Sequence, residues 1–170
     1  MPAPSAVSKS LAGGSFSARL DGVDWAAVAR DLDAHGCAVI GPLLTPEECI
    51  ALAARYAEDK PFRSRVIMAR HGFGKGAYKY FAYPLPDPIA ALCTGLYPHL
   101  AGVANRWNEA MGIDTRYPDA HADYLERCHK AGQGRPTPLL LQYGPGDYNC
   151  LHQDLYGELI FPLQATVLLS

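Results

Sequence analysis

Two features of the sequence predict an α+β fold. Up to about residue 131, apolar residues recur at helical spacing behind recognisable caps, and after Pro138 the period shortens to that of strands. A β-type stretch rich in basic and aromatic residues interrupts the helices once, over residues 60–86. Helices that precede strands, instead of alternating with them, pack to one side of an antiparallel sheet.

Taken in order, Asp24 is placed to cap a helix over residues 25–34, with Trp25, Val28, Ala29 and Leu32 on one face and Gly36 available to end it. The apolar run at residues 37–40 predicts a strand that leaves through Gly41-Pro42. Thr45-Pro46-Glu47-Glu48 combines an N-cap threonine, a proline at the first helical position and a glutamate three residues after the cap, which predicts a helix over residues 46–58. Runs of β-formers at residues 65–69 and 78–83 flank Gly72-Phe73-Gly74-Lys75-Gly76 and predict a hairpin. Asp87-Pro88 opens a long helix to about residue 111, with a break expected near Pro98, and residues 119–131 make another. Three strands follow at residues 139–143, 148–151 and 159–169, joined by the turns Gly144-Pro145-Gly146-Asp147 and Tyr156-Gly157-Glu158.

The chain of 170 residues is 49% hydrophobic and 19% charged, with 16 Gly and 14 Pro, which suits a turn-rich globular domain and not a disordered chain. That length fits one domain over residues 21–170 behind a flexible leader, residues 1–20, rich in Ala, Ser, Gly and Pro. The leader lacks the apolar core of a signal peptide, and no run of about 18 apolar residues occurs, so a soluble, cytoplasmic protein without membrane contact is expected. Five widely spaced cysteines without a C-x-x-C pair point to reduced thiols, not to a disulfide framework or a structural zinc site. A net charge of -2 excludes attraction of polyanions through overall charge and leaves that role to a local patch.

The chemistry concentrates at His152-x-Asp154. At the end of a predicted strand, residues two apart point to the same face and can reach one metal ion. Two histidines and a carboxylate on one face of an octahedron leave three positions open, as a non-haem Fe(II) centre needs in order to hold a bidentate 2-oxo acid and then dioxygen. The pair alone is compatible with a chance spacing, or with a metal-dependent hydrolase or cupin-like protein using another ion.

The surrounding motifs carry a resemblance. The stretch from Leu139 through Gln142-Tyr143-Gly144-Pro145-Gly146-Asp147 to His152-Gln153-Asp154 resembles the strand, turn and metal-strand segment of Fe(II)- and 2-oxoglutarate-dependent dioxygenases, and Leu43-Leu44-Thr45-Pro46-Glu47-Glu48 resembles the entry to their fold. Arg65-Val66-Ile67-Met68-Ala69-Arg70-His71-Gly72-Phe73-Gly74, Tyr78-Lys79-Tyr80-Phe81-Ala82-Tyr83-Pro84, Asn105-Arg106-Trp107-Asn108 and His152-Gln153-Asp154-Leu155-Tyr156-Gly157 are similar to a bacterial family of nucleic-acid-directed oxygenases within that superfamily. The resemblance implies a double-stranded β-helix, or jelly roll, whose opening strands carry the N-terminal helices and hairpin. It implies His152 and Asp154 as Fe(II) ligands, 2-oxoglutarate and dioxygen as co-substrates, and hydroxylation of a C–H bond, extending to oxidative repair of alkylated nucleic acid. The family's distal histidine and 2-oxoglutarate-binding arginine would lie beyond Ser170, so a chain lacking its C-terminal strands is expected. An inactive remnant, a binding domain of the same fold, a prolyl-hydroxylase-like protein and a small-molecule hydroxylase stand as alternatives.

Tyr143 has two readings, a half-buried strand tyrosine or a group that holds the 2-oxo acid. Asp147 reads as a turn residue. The Asn105 to Asn108 motif reads as a helix packing its tryptophan inward. Between Lys60 and Pro86 lie Lys60, Arg63, Arg65, Arg70, Lys75 and Lys79 with no acid among them, interleaved with aromatic residues. This pattern is either a solvated face or a surface where bases stack and cations meet phosphates, with Arg63, Arg70, Lys75, Tyr78 and Tyr80 as the candidate contacts.

Overall fold

A computed structural model of the chain describes residues 14–153 and 157–170. Five helices and five short strands make up its regular structure: α1 (Phe16–Asp21), α2 (Trp25–His35), α3 (Pro46–Ala54), β1 (Phe62–Ile67), β2 (Gly74–Lys75), β3 (Ala77–Phe81), α4 (Asp87–Ala110), α5 (His121–Lys130), β4 (Leu139–Gln142) and β5 (Tyr148–Asn149). The α+β expectation holds. No helix among the described residues is long and apolar enough to cross a membrane.

The predicted caps form as chemistry requires. Asp24 accepts a hydrogen bond from the Ala27 N–H at 2.9 Å, and Gly36 closes α2 in the left-handed region at φ 72. Thr45 and Glu48 make the reciprocal capping box of α3 with Pro46 at its first position. That helix gives way at Arg55–Ala57 to a 3₁₀ turn.

Residues 16–20, placed by composition in a flexible leader, belong to α1. Ser15 caps α1, Leu20 joins the core with Leu44, Leu52, Leu92 and Leu96, and Arg19 is only 4% exposed. The Arg19 guanidinium donates to the carbonyls of Leu43 and Gly14, each at 2.6 Å, and to both oxygens of Glu48. A buried cation is tolerated there because its donors are matched by acceptors.

The strand expected at residues 37–40 does not form; Ile40 alone makes an isolated bridge. Ala38 and Ile40 instead turn their side chains onto the cluster of Val28, Leu32 and Val103 between α2 and α4. Helix α4 runs through Pro98 without a break. Pro98 and Thr94, whose carbonyl the proline cannot serve, are both exposed, so water can take the missing donor's place.

The hairpin closes as expected, β1 against β3, with Val66 opposite Tyr78 and Ser64 opposite Tyr80 after a bulge at Arg63. Strand β4 adds on the other side of β3, giving the order β1-β3-β4, all antiparallel. A second sheet pairs β2 with β5.

Residues 159–169 are not a strand. Leu159 has its N–H and carbonyl bound by the Gln133 side chain, at 2.9 and 3.1 Å, and Tyr117 donates its hydroxyl to the Ile160 carbonyl. Phe161 enters the aromatic cluster of Tyr97, Tyr117 and Tyr124. Side chains thus satisfy part of the backbone that a ladder would have served.

Candidate functional site

The Gly-rich loop of the basic hairpin is laid directly along the segment that leads to His152. Gly74 pairs with Asn149 and Lys75 with Tyr148. The Cys150 N–H donates to the Phe73 carbonyl at 2.8 Å. Lys75 Nζ lies 3.2 Å from Asp147 Oδ1, while Asp147 Oδ2 accepts the Gly144 N–H at 2.8 Å and closes the turn. Two glycines allow this approach. A Cβ at Gly74, where φ is +124, would fall 2.3 Å from the Tyr148 carbonyl oxygen, and a Cβ at Gly76 would fall 2.8 Å from the Tyr143 ring.

His152 follows β5 by three residues, since that strand ends at Asn149 and not at residue 151. The shared face expected for positions 152 and 154 therefore does not follow from strand alternation. Its ring is fixed differently: Nδ1 lies 2.8 Å from the Cys150 carbonyl oxygen. A carbonyl can only accept, so Nδ1 carries the proton and a neutral ring holds its lone pair on Nε2. Asp154 lies outside the described residues. Among the described residues, no three His, Cys, Asp or Glu side chains gather as a metal site.

Tyr143 is 46% exposed, with its ring on Gly76; partial burial and then the charge of Asp147 raise its hydroxyl pKa. Asp147 is more than the turn residue its neighbours suggested. Its carboxyl is held below the ordinary range by the Gly144 N–H and by Lys75.

The six cations of the hairpin separate into different roles. Lys79 is 6% exposed and structural, hydrogen-bonded to the Glu58 carbonyl and to Asp59 at 2.8 and 2.9 Å. Lys75 is paired with Asp147. The acids that neutralise these two lie just before the run and far after it in sequence, where a count over residues 60–86 does not see them. Arg63 keeps its side chain on the surface, over the Tyr80 ring at 4.3 Å and donating to the Pro136 carbonyl. Among the described residues, Lys60, Arg65 and Arg70 pair with no carboxylate within ion-pair distance.

Tyr78 and Tyr80 share one face of the sheet, their rings edge to face at 5.4 Å. A shallow hollow of about 170 Å³ lies along β1, lined by Asp59, Phe62, Arg63, Ser64, Arg65 and Lys79. A further pair, His71 and Phe73, stacks at 5.3 Å on the loop itself, and both residues are exposed. Neither was singled out as a contact from sequence, although an aromatic residue between two glycines after a basic strand is a usable signal.

The Asn105 to Asn108 motif proves to be structural. Asn105 clamps the Tyr117 backbone through both ends of its amide, at 2.9 and 2.7 Å. Arg106 and Trp107 both bind Asp33 on α2, and Asn108 donates to the Thr115 carbonyl.

The small α+β scaffold brings a basic, aromatic hairpin against a histidine-bearing segment. A family model described as an oxygenase catalysing oxidative methylation of damaged DNA matches residues 76–170, more than half of the chain, and the chain belongs to that family. The matched stretch contains Tyr78, Tyr80, Tyr143, His152 and Asp154, whereas Arg63, Arg70 and Lys75 precede it. Two uncharacterized proteins of Mycobacterium tuberculosis, from strains CDC 1551 / Oshkosh and H37Rv, are each 48% identical over 94 residues, or 55% of this chain and 40% of theirs. The matched part thus spans two fifths of the length of these curated relatives. No solved structure matches the chain.

Proposed function

We propose that the protein is an Fe(II)- and 2-oxoglutarate-dependent dioxygenase that hydroxylates a C–H bond on damaged nucleic acid, built on the opening strands of a double-stranded β-helix. The observation that carries this reading is the junction of β2 with β5, which fastens the cationic, aromatic loop beside the segment bearing His152. Membership of a family of oxygenases acting on damaged DNA supports the same chemistry.

His152 and Asp154 would hold the iron. A histidine whose Nδ1–H is bound to a backbone carbonyl has the tautomer and the fixed ring of a metal ligand, and an imidazole with a carboxylate suits Fe(II). When bound, the iron with 2-oxoglutarate supplies the oxidising power: one oxygen atom of dioxygen goes to the C–H bond, the other to succinate, and carbon dioxide leaves. Tyr143, half exposed beside the turn, would donate a hydrogen bond from its hydroxyl to a carboxylate of the 2-oxo acid. Arg63 and Arg70, with Lys75 when its pairing to Asp147 opens, would neutralise phosphates, and Tyr78 and Tyr80 would offer ring surface to the strand.

Succinate release from 2-oxoglutarate by the complete parent protein, supplied with Fe(II) and methylated single-stranded DNA, tests the reading. His152→Ala and Asp154→Ala are each expected to abolish it. Turnover by Asp154→Ala equal to that of the unaltered protein would remove the iron assignment.

A further inference from the structure

We infer that His71 and Phe73 form a stacking platform for a nucleobase beside the His152 segment, an inference that rests on the nucleic-acid reading above and goes beyond the residues assigned there. The two rings lie nearly parallel, 5.3 Å apart with 24° between their planes. Phe73 is 42% exposed although its own backbone is tied to the fold through both its N–H and its carbonyl. Its N–H donates to the Met68 carbonyl at 3.1 Å and its carbonyl accepts from Cys150 at 2.8 Å. The backbone is therefore held while the ring faces solvent, an arrangement that core packing does not require.

The position favours a base over other flat ligands. Arg70, without a carboxylate partner among the described residues, immediately precedes the pair in sequence, so a phosphate beside the rings would find a cation. Tyr78 and Tyr80, the rings sequence reading favours, lie instead on the sheet and are only partly exposed, with Arg63 already over Tyr80. A base that has left its stack needs a new π-face close to the reacting centre. The exposed Phe73 ring is carried on the residue hydrogen-bonded to Cys150, which lies two positions before His152. Stacking of this kind tolerates any base, so the platform would position the nucleotide and leave the choice of lesion to other contacts.

The test compares two probes of equal length by fluorescence anisotropy, a labelled oligothymidylate and the same backbone made of abasic sites. The unaltered protein is expected to bind the base-bearing strand more tightly. Phe73→Ala should weaken that binding roughly fivefold or more while leaving the abasic strand nearly unaffected. His71→Ala should act in the same direction, and Phe73→Trp should retain the preference. All three substitutions spare the backbone bonds that hold the loop. Salt-sensitive binding of both strands by the unaltered protein, with no change on Phe73→Ala, would overturn the platform and leave the nucleic-acid reading standing. Absence of salt-sensitive binding to either strand would overturn both.

Discussion

Gly74 stands so close to Tyr148 that a methyl group on its α-carbon would lie 2.3 Å from the Tyr148 carbonyl oxygen. The pairing of β2 with β5 therefore depends on the absence of one side chain. Gly74 also has φ +124, a conformation that residues with a Cβ rarely adopt. Gly74→Ala should cost roughly 1–3 kcal/mol from backbone strain, with the contact added to it. Gly72→Ala is the control, because its Cβ would meet nothing within 4 Å. Urea unfolding should show the larger loss at Gly74, and equal losses would mean that the β2–β5 contact carries no strain of its own.

Arg70 and Lys75 should contribute unequally to DNA binding. Lys75 already faces Asp147, whereas Arg70 has no such partner among the described residues. Each phosphate neutralised adds about 0.7 to the salt slope for single strands. Arg70→Ala should lower the slope by about that amount, and Lys75→Ala by clearly less. Titrations of single-stranded DNA at several salt concentrations measure both. Equal slopes for the two variants would show that Asp147 releases Lys75 to the nucleic acid.

Glu48 joins the cap of α3 to the buried Arg19 and should make stability depend on acid. The Thr45 N–H first, and the Arg19 hydrogen bond second, hold its carboxyl below its ordinary value of 4.5. A group depressed in the folded state contributes fully above its unfolded pKa, and the contribution is lost as pH falls through the folded one. The gap in urea midpoint between the unaltered protein and Glu48→Gln should therefore be widest above about pH 4.5 and close below it. A gap that widens on acidification would contradict the assignment. Arg19→Ala should cost roughly 1–3 kcal/mol at neutral pH, because it leaves buried acceptors unserved.

Asn105 offers a test of structure against function within one motif. Its amide makes the two hydrogen bonds that clamp the Tyr117 backbone beside the aromatic cluster, where burial pushes the Tyr97 hydroxyl pKa up to about 12. Asn105→Ala should destabilise the fold by roughly 1–3 kcal/mol and weaken the near-ultraviolet circular dichroism of the tyrosines. DNA affinity and its salt slope should stay as they were. A selective loss of DNA binding in a fully stable Asn105→Ala protein would place the motif in the substrate site instead.

Local chemistry made part of this protein legible from its sequence. The caps at Asp24 and Thr45 and the left-handed stop at Gly36 form where sequence placed them, because each depends on residues within a few positions of one another, and the β1–β3 hairpin forms with its first strand starting three residues earlier than expected. Membership of an oxygenase family could also be seen, since its motifs are linear. Tertiary structure decided what depends on distant partners. Residues 37–40 and 159–169 have the composition of strands, yet their side chains and backbone are claimed by α2, α4, Tyr117 and Gln133, so no ladder forms. The basic run looked uniform until Asp59 and Asp147, both outside it, took Lys79 and Lys75. The exposed His71–Phe73 pair gains meaning only from β2 meeting β5, a contact between segments more than seventy residues apart. Propensity acts over a few residues, whereas pairing, charge neutralisation and exposure are settled by whatever the folded chain brings alongside.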